Sequence, residues 1–329
     1  MRVEMPVEER LIAGLFLCSN EHNDMLENLR PDLNAQVSKS LPEKCSILNI
    51  QFGIFRVFPW LDQLSEGIDE KKFCESLFVQ PDLFLRLRPG FENKVEVKLR
   101  EAGVGFSMPT VTCMQLPNAT NIESLIELNK EAVVQDYSSQ RVAELFETLD
   151  RQPIKVWDCC AASGGKSIML YDFFSRIELM VTDVRESILV NLKRRFKAAG
   201  ISNYKSLVAD LSAPGFEFPY SNFDLIVADV PCTGSGTWSR TPEQLYYFDE
   251  RKIDQYHDKQ KKIITQVIPN LQPGGYILYI TCSVFKKENE DIVAMIVDQT
   301  GWKLARKEVL KGYDKKADTM FAALIHKSE

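Results

Sequence analysis

Two cysteines in the second half of the chain lie where a thiol can act as a nucleophile. Cys232 lies in the Pro- and Gly-rich stretch DVPCTGSG and Cys282 in YITCSVFKKENE, and each follows an apolar run that reads as a strand. A deprotonated thiol is a strong nucleophile, and a nearby cation or helix N-terminus lowers its pKa. If the two strands are neighbours, both thiols project to one edge of a sheet. The alternative is that either cysteine is a buried packing residue, and these residues alone do not rank one thiol above the other.

Four aspartates end predicted strands or lie beside their ends, namely Asp158, Asp183, Asp210 and Asp229. In an open parallel sheet the ligand crevice lies outside the carboxyl ends of the strands, so these acids would line one crevice. Asp183 follows the first strand-turn-helix unit by about 20 residues, the spacing at which an acid reaches a ribose hydroxyl of a nucleotide-like ligand. Any one of the four could instead cap the next helix.

The stretch IKVWDCCAASGGKS, residues 154–167, combines a short apolar run, a turn of small residues and the start of a helix. Gly164 and Gly165 lack a Cβ, so the backbone can turn sharply and a ligand can approach its N–H groups. Those donors and the positive end of the helix suit a carboxylate or a phosphate. Lys166 is interpreted as an anchor for the ligand, or else as an ordinary exposed helix residue.

Strands and helices alternate regularly after Val133, and this predicts a largely parallel sheet covered on both faces. The predicted strands are 154–158, 178–183, 205–210, 223–229 and 275–281, and a hairpin of 303–310 with 319–326 closes the chain. The predicted helices between them are 166–176, 187–199, 253–268 and 287–299. The fold class is therefore α/β, with the reactive residues at the strand ends.

The first part of the chain offers less chemistry. Residues 1–75 read as a helical domain interrupted by prolines, residues 76–135 as a small α+β subdomain with a helix from Asn121, and residues 136–329 hold the alternating strands and helices. The subdomain is rich in basic residues, so its surface either tracks phosphate groups or is a solvated charged face. These residues are Arg86, Arg88, Lys94, Lys98 and Arg100.

Composition narrows the functional class. The 329 residues carry a net charge of -6, so a polyanionic partner must be met by a local basic face. No apolar run approaches the roughly 20 residues of a membrane helix, and the acidic residues around the apolar stretch 11–18 do not suit a signal peptide. The eight cysteines contain no C-x-x-C pair, which argues against a zinc ribbon or a disulfide scaffold. We expect a cytoplasmic protein with no metal site.

Four stretches occur together in an order that resembles the Sun/Fmu (RsmB/Nop/Sun) family of RNA cytosine-C5 methyltransferases. They are VVQDYSSQ at 133–140, CAASGGKS at 160–167, ADVPCTGSGTWSRTPE at 228–243 and YITCSVFKKENE at 279–290. The resemblance implies that residues 136–329 form a class I methyltransferase (Rossmann-like) domain. It also implies a mostly parallel seven-stranded sheet with helices on both faces and S-adenosylmethionine as the cofactor.

The resemblance implies a role for each candidate residue. Cys282 would be the nucleophile that adds to the target cytosine, and Cys232 would help to release the product. Asp229 would lie between cofactor and target base, Asp183 would bind the ribose, and Asp210 would lie beside the adenine. The loop around the methionine part of the cofactor would be formed by Cys160, Ala161, Ala162, Ser163, Gly164, Gly165 and Lys166.

Two positions depart from the family's pattern. Ser163 stands where the family usually has Pro, which could loosen the cofactor loop. Arg86-Leu87-Arg88 stands where members commonly show Arg-hydrophobic-Asn, a segment that would contact RNA.

The implied function is methylation of ribosomal RNA, free or within a ribosomal subunit, by a protein that is a monomer by default. A tRNA cytosine-C5 methyltransferase uses the same chemistry and is the first alternative. The second is an inactive RNA-binding or ribosome-assembly protein on the same fold, against which the pair Cys232 and Cys282 argues. The sequence does not indicate the target nucleotide.

Overall fold

A computed structural model describes residues 6–51, 53–174, 176–215 and 218–328. The chain forms two compact units. One runs to Asp62 and resumes over Asp69–Gln80, and the other comprises Gln63–Ile68 and continues from Pro81. The division into three domains made from the sequence stays a prediction. Within the described residues, no helix is long and apolar enough to cross a membrane.

The first unit consists of short helices whose ends follow local sequence signals. Asn23 caps one helix by accepting hydrogen bonds from two backbone N–H groups of its first turn, at 2.9 and 3.2 Å, and Pro31 begins the next helix. Phe16 and Leu26 lie at the centre of its buried cluster. The helical character predicted for this part is confirmed. The helices are α1 Val7–Cys18, α2 Asp24–Leu29, α3 Pro31–Asn34, α4 Leu41–Ile47, α5 Ile54–Val57 and α6 Glu70–Ser76.

The second unit begins with a small antiparallel sheet and one helix. Its elements are β1 Leu83–Leu87, α7 Glu92–Glu101, β2 Ser107–Thr110, β3 Cys113–Leu116 and β4 Ala132–Val134. The strands lie in the order β2-β3-β1-β4, and α7 packs its apolar face, Val95 and Leu99, against the buried side chains of β1 and β3.

The helix predicted from Asn121 is wrong. Ile122 accepts backbone hydrogen bonds from Leu125 and Ile126, so the segment makes a single turn, and Asn129 then adopts a left-handed φ of 66°. Ile122 and Ile126 have helical spacing because both are buried in the core of the small sheet. Two apolar residues one turn apart can be buried by a single turn as well as by a continuous helix. A single turn does not by itself extend into a helix.

The basic residues of this region are paired with acids of the same unit. Arg86 and Arg88 contact the carboxylate of Asp172 at 2.6 and 2.7 Å, with 7% of the Asp172 side chain exposed. Lys94 and Lys98 contact Glu131, which is fully buried, and Arg100 pairs with Glu96. The Arg-Leu-Arg segment therefore ties the small sheet to the helix Gly165–Phe173. Arg86 is buried and so belongs neither to a solvated charged face nor to a phosphate-tracking surface, whereas the exposed Lys94 and Arg100 have acidic partners.

We expect Asp172→Asn to lower the free energy of unfolding by about 3 kcal/mol, because it leaves two largely buried guanidinium groups without their counter-ion. Chemical denaturation measures the change. Glu96→Gln is the matched control, since it breaks the exposed pair with Arg100 and should cost less than about 1 kcal/mol. Equal losses for the two variants would contradict a structural role for Asp172.

The main sheet of the second unit has seven strands among the described residues. They are β5 Lys155–Asp158, β6 Glu178–Asp183, β7 Tyr204–Val208, β8 Phe223–Asp229, β9 Leu271–Thr281, β10 Lys303–Leu310 and β11 Met320–His326. Their order is β10-β11-β9-β8-β5-β6-β7. The strands β5 to β9 run parallel, and β11 is antiparallel to both of its neighbours. The mostly parallel seven-stranded sheet is thus confirmed.

Helices cover both faces of this sheet. They are α8 Tyr137–Arg141, α9 Gly165–Phe173, α10 Glu186–Ala199, α11 Pro242–Tyr246, α12 Arg251–Val267 and α13 Glu290–Thr300. Adjacent residues of β5 show the two layers, since Val156 belongs to the buried cluster with α9 and α10, and Trp157 to the cluster with α12 and α13. Successive strand residues point to opposite faces, so a run that is apolar throughout is buried on both sides.

Candidate active site

The two predicted thiols lie side by side. The strands β8 and β9 are parallel neighbours with Asp229 opposite Ile280, and each cysteine follows the end of its strand. The Sγ atoms of Cys232 and Cys282 are 3.2 Å apart. The hydrogen bond with Cys282 and burial raise the pKa of Cys232 well above its usual value. This shift favours the protonated form of Cys232.

The loop that follows Cys232 has no room for a side chain at Gly236. Its N–H donates to the carbonyl of Cys282 at 2.9 Å, and its carbonyl accepts from the N–H of Thr319 at 2.9 Å. A Cβ at Gly236 would lie 1.9 Å from the carbonyl oxygen of Thr319. The loop after Cys232 is thereby joined to the loop after Cys282 and to the start of β11.

A buried polar network beneath the thiols was not anticipated from the sequence. Glu288 accepts from the Thr233 N–H at 2.9 Å, the Thr233 hydroxyl at 2.6 Å and the Gln260 amide at 3.2 Å. The hydroxyls of Thr233, Ser235 and Ser283 lie 3.2 Å from one another. Burial raises the pKa of Glu288 despite these donors. A charged run such as KKENE is typical of an exposed segment, so the sequence does not show that Glu288 is buried. The structure shows that its side chain is fully buried.

The segment Gln63–Ile68 supports the loop after Cys282. The N–H of Ser65 donates to the carbonyl of Val284 at 2.8 Å, and its hydroxyl donates to Glu290 at 2.9 Å. The Asn289 amide donates to the Ser65 hydroxyl at 2.8 Å. These contacts bridge more than 200 residues of sequence, so no local signal could have predicted them.

At the centre of the crevice, Lys166 from the first turn of α9 donates to Asp229 at 2.9 Å. Asp158, at the end of β5, is fully buried, and one of its oxygens accepts from the Ser167 hydroxyl at 2.6 Å. The other oxygen, Oδ1, is buried with no hydrogen-bond partner. Burial raises the pKa of Asp158 to about 7.

The raised pKa of Asp158 makes protein stability depend on pH. A carboxyl with a folded pKa of about 7 and an unfolded pKa near 4 binds more protons in the folded state. Its stabilising contribution is full below about pH 4 and is lost as pH rises through 7. Asp158→Asn cannot ionise. We therefore expect its free energy of unfolding, relative to that of wild type, to rise by a few kcal/mol as the pH rises from 4.5 to 7.5. Denaturant titrations at the two pH values measure the gain.

Asp210→Asn serves as the control for this pH series. Hydrogen bonds from the hydroxyl and the N–H of Ser212 lower the pKa of Asp210, so its titration lies below the tested window. Its stability relative to wild type should not change between pH 4.5 and 7.5. A pH-independent difference for Asp158→Asn would show that this carboxyl is ionised throughout.

The turn between β5 and α9 is shaped by two left-handed residues, Ala162 with φ 46° and Gly164 with φ 83°. The N–H of Ala162 donates to Asp183 at 3.0 Å, which ties the turn to the end of β6. A Cβ at Gly164 would lie 2.7 Å from the Phe196 ring and 3.0 Å from Leu192, so the turn packs directly on α10. Glycine is required here by both φ and space.

Ser163, the departure from the family's Pro, is held by Arg195 from α10. The guanidinium of Arg195 donates to the carbonyl of Ser163 at 2.9 Å and to its hydroxyl at 2.6 Å, and it also donates to Asn129 at 2.8 Å. The serine therefore gains a side-chain contact that proline cannot make. The loosening of the loop expected from this departure is opposed by these bonds.

The two remaining acids differ in surroundings. Asp183 accepts from Ala162 and from the backbone and guanidinium of Arg185. Burial opposes its ionisation, but these hydrogen bonds outweigh burial and lower the pKa of Asp183. Asp210 follows β7 at the edge of the sheet, where it is exposed and accepts from Ser212. The turn is thus hydrogen-bonded to Asp183, and Lys166 is hydrogen-bonded to Asp229. Asp210 lies at the far end of the crevice.

The donor set of the crevice fits S-adenosylmethionine. The first N–H groups of α9 have no acceptor within their helix and suit a carboxylate. Apart from its chain neighbours and the backbone of α9, no atom lies within 4 Å of a Cβ built on Gly165, so there is free space on that side of the first turn of α9. The carboxylate of Asp183 suits ribose hydroxyls, provided that the Arg185 side chain, which is 57% exposed, turns away. The roles of the individual site residues stay predictions.

The sequence matches proteins of one family. A family profile described as 16S rRNA methyltransferase RsmB/F matches residues 147–326. Ribosomal RNA small subunit methyltransferase B of Enterobacter sp. (strain 638) is 31% identical over 167 residues, which cover 51% of this chain and 38% of that protein. Probable ribosomal RNA small subunit methyltransferase B of Synechocystis sp. is 29% identical over 262 residues, which cover 75% of this chain and 58% of that protein. The chain thus spans about half the length of these relatives.

The fold also matches solved structures. NSun6 from Pyrococcus horikoshii, determined with SFG, superposes with a TM-score of 0.68 at 14% identity, covering 84% of this chain and 97% of that one. A methyltransferase homolog protein from the same organism superposes with a TM-score of 0.66 at 22% identity, covering 80% of this chain and 92% of that one. At such identities the likeness concerns the fold.

Proposed function

This chain belongs to the 16S rRNA methyltransferase RsmB/F family, and from that premise we propose that it methylates C5 of a cytosine in ribosomal RNA. S-adenosylmethionine is the cofactor. The observation that carries the proposal is the 3.2 Å approach of the Cys232 and Cys282 thiols at the strand ends beside Asp229. One thiol can form a covalent bond to a base while the other exchanges a proton, and C5 methylation of cytosine requires both.

The cofactor supplies an electrophilic methyl group on a sulfonium sulfur. The turn from Cys160 to Gly165 and the N-terminus of α9 would hold its amino acid part, Asp183 would receive the ribose, and Asp210 would lie beside the adenine. Lys166 keeps Asp229 oriented through its 2.9 Å hydrogen bond. The protein's contribution is to fix the donor and the base in line, since proximity and alignment lower the barrier.

Cys282 activates the base. C5 of cytosine is a poor nucleophile until a thiolate adds to C6, which places the displaced electron pair on C5 and the ring. Asp229 would accept a hydrogen bond from the amino group of the base and, in its protonated form, donate one to N3, and this donor stabilises the developing charge. C5 then takes the methyl group and carries both the methyl and its original hydrogen. The base must be out of its stack, so a single-stranded or remodelled RNA site is required.

Cys232 completes the reaction. It removes the C5 proton, the electron pair re-forms the C5–C6 double bond, and Cys282 leaves C6 as a thiolate. The timing follows from the pair, because the hydrogen bond with Cys282 is the largest cause of the raised pKa of Cys232. Once Cys282 is bonded to C6 that hydrogen bond is lost, so Cys232 releases its proton to solvent and the resulting thiolate accepts the proton from C5.

The proposal is tested by release of tritium. Small-subunit ribosomal RNA labelled with [5-³H]cytidine is incubated with the protein and S-adenosylmethionine, both as free RNA and within partly assembled subunits. Methylation at C5 releases one tritium into water for each methyl group transferred. Release from tRNA but not from ribosomal RNA would change the substrate, and methyl transfer without tritium release would exclude C5 as the site.

A further inference from the structure

A second cavity, of about 270 Å³, opens beside the thiol pair and has no part in the mechanism above. Thr233, which directly follows Cys232, lies at one end of it. Half of its lining residues are aromatic and come from the segment after Cys232 and from α12, and the others include one amide, one cation and the carboxylate of Glu243. The residues that matter are Thr233, Trp238, Gln244, Tyr247, Lys252 and Tyr256.

The floor of this cavity is rigid. Trp238 is 1% exposed and its ring lies 4.6 Å from that of Phe248, which also lines the cavity. The Phe248 ring stacks on Phe285 with centroids 5.7 Å apart and planes 14° from parallel. Phe285 is three residues after Cys282, so the floor and the nucleophile belong to one packed block. A ligand in the cavity would be held at a fixed position relative to the thiols.

The mouth of the cavity is exposed and polar. Tyr247 is 76% exposed, although its chain position after α11 would allow it to pack inward. Lys252, in the first turn of α12, is exposed at the same opening. Proteins that bind single-stranded RNA commonly present an exposed aromatic ring beside a cation. A base stacks on the ring and a phosphate contacts the cation.

We propose that this cavity receives the nucleobase that neighbours the target cytosine in the RNA strand, with Tyr247 stacking on the base and Lys252 meeting its phosphate. The inference rests on the proposed function, because the target cytosine must lie at Cys282. Neighbouring nucleotides of one strand are covalently joined, and the cavity begins one residue from Cys232, so an unstacked neighbour comes within its reach. The side-chain amide of Gln244 then faces the edge of that base.

RNA binding tests the stacking role without requiring catalysis. A fluorescein-labelled single-stranded RNA with one central cytidine is titrated with wild type, Tyr247→Ala and Tyr246→Ala. We expect Tyr247→Ala to weaken binding about tenfold, the typical effect of removing one stacking ring. Tyr246→Ala should weaken binding by only about twofold, because Tyr246, which is 78% exposed, does not line the cavity and meets the Tyr247 ring edge to face, with centroids 4.9 Å apart. Equal effects of the two variants would overturn the proposal.

A paired control tests the phosphate contact. Lys252→Ala should weaken binding and make it less dependent on salt, whereas Arg251→Ala should have little effect because Arg251 is held by Asp249. An unchanged salt dependence for Lys252→Ala would remove Lys252 from the proposal.

The position of the base is found by an abasic scan. The nucleotides on each side of the cytidine are replaced one at a time by abasic ones, and the KM for tritium release is measured. We expect one replacement to raise the KM of wild type about tenfold and to have no further effect in Tyr247→Ala. If the same replacement raises the KM of Tyr247→Ala by as large a factor as it raises that of wild type, the inference is overturned. RNA binding that depends on Tyr247 without any tritium release would instead contradict the proposed function and leave the cavity as an RNA site.

Discussion

Replacing Cys282 with alanine is expected to lower the rate of methyl transfer by on the order of 10⁶-fold, as removal of the nucleophile does in a serine protease. Without a thiolate at C6, C5 has too little electron density to take the methyl group. Cofactor binding should be almost unchanged, because the proposal assigns it to the turn between β5 and α9 and to Asp183 rather than to the thiol. The loss should therefore appear in kcat, measured by tritium release at saturating RNA.

Cys113→Ala is the matched control for this substitution. Cys113 is a buried thiol in β3 of the same unit, far in sequence from the crevice motifs, and its replacement should lower stability without lowering kcat. A Cys282→Ala protein that keeps more than about a tenth of the wild-type kcat would contradict covalent catalysis by this residue, because such a change is only about 1.4 kcal/mol of barrier.

The second large effect is expected for Gly236→Ala. The new methyl group would lie 1.9 Å from the carbonyl oxygen of Thr319 and 3.0 Å from that of Cys282, so one of two backbone hydrogen bonds has to break. We expect a loss of more than about 4 kcal/mol of stability, the range of severe backbone clashes, and loss of activity even below the melting temperature. Thermal unfolding and tritium release measure the two effects.

Gly105→Ala provides the comparison for this clash. A Cβ at Gly105 meets no atom within 4 Å, so the substitution should be close to neutral in both assays. Normal activity of a folded Gly236→Ala protein would show that the two loops need not be joined for the thiols to work.

Much of the second unit could be predicted from sequence because its signals are local. Apolar runs that end in an acidic residue predicted strands 178–183 and 223–229 with the observed bounds. The alternation of strands with helices predicted that the strands run parallel. The helix predicted over 287–299 starts later, at Glu290, because Asn289 adopts non-helical angles and Glu288 turns inward to bind Thr233. Tertiary hydrogen bonds overrode the charge pattern at that point.

The site was predicted in outline and missed in detail. The thiols and acids were found because each stands in a distinctive local motif at a strand end. Glu288 and Gly236 were missed as supports because their partners, Thr233 and Thr319, come from other segments. Arg86 and Arg88 read as a basic surface for the same reason, since nothing local shows that Asp172 meets them both.

The most direct test of the account is to trap the covalent intermediate. Cys232→Ala is incubated with S-adenosylmethionine and small-subunit ribosomal RNA and run on a denaturing gel beside Cys282→Ala and the double variant. The account predicts an RNA-linked protein band for Cys232→Ala alone, because Cys282 adds to the base and its release is impaired. A band in Cys282→Ala that is absent from Cys232→Ala would reverse the roles of the two thiols, and a band that persists in the double variant would contradict the mechanism.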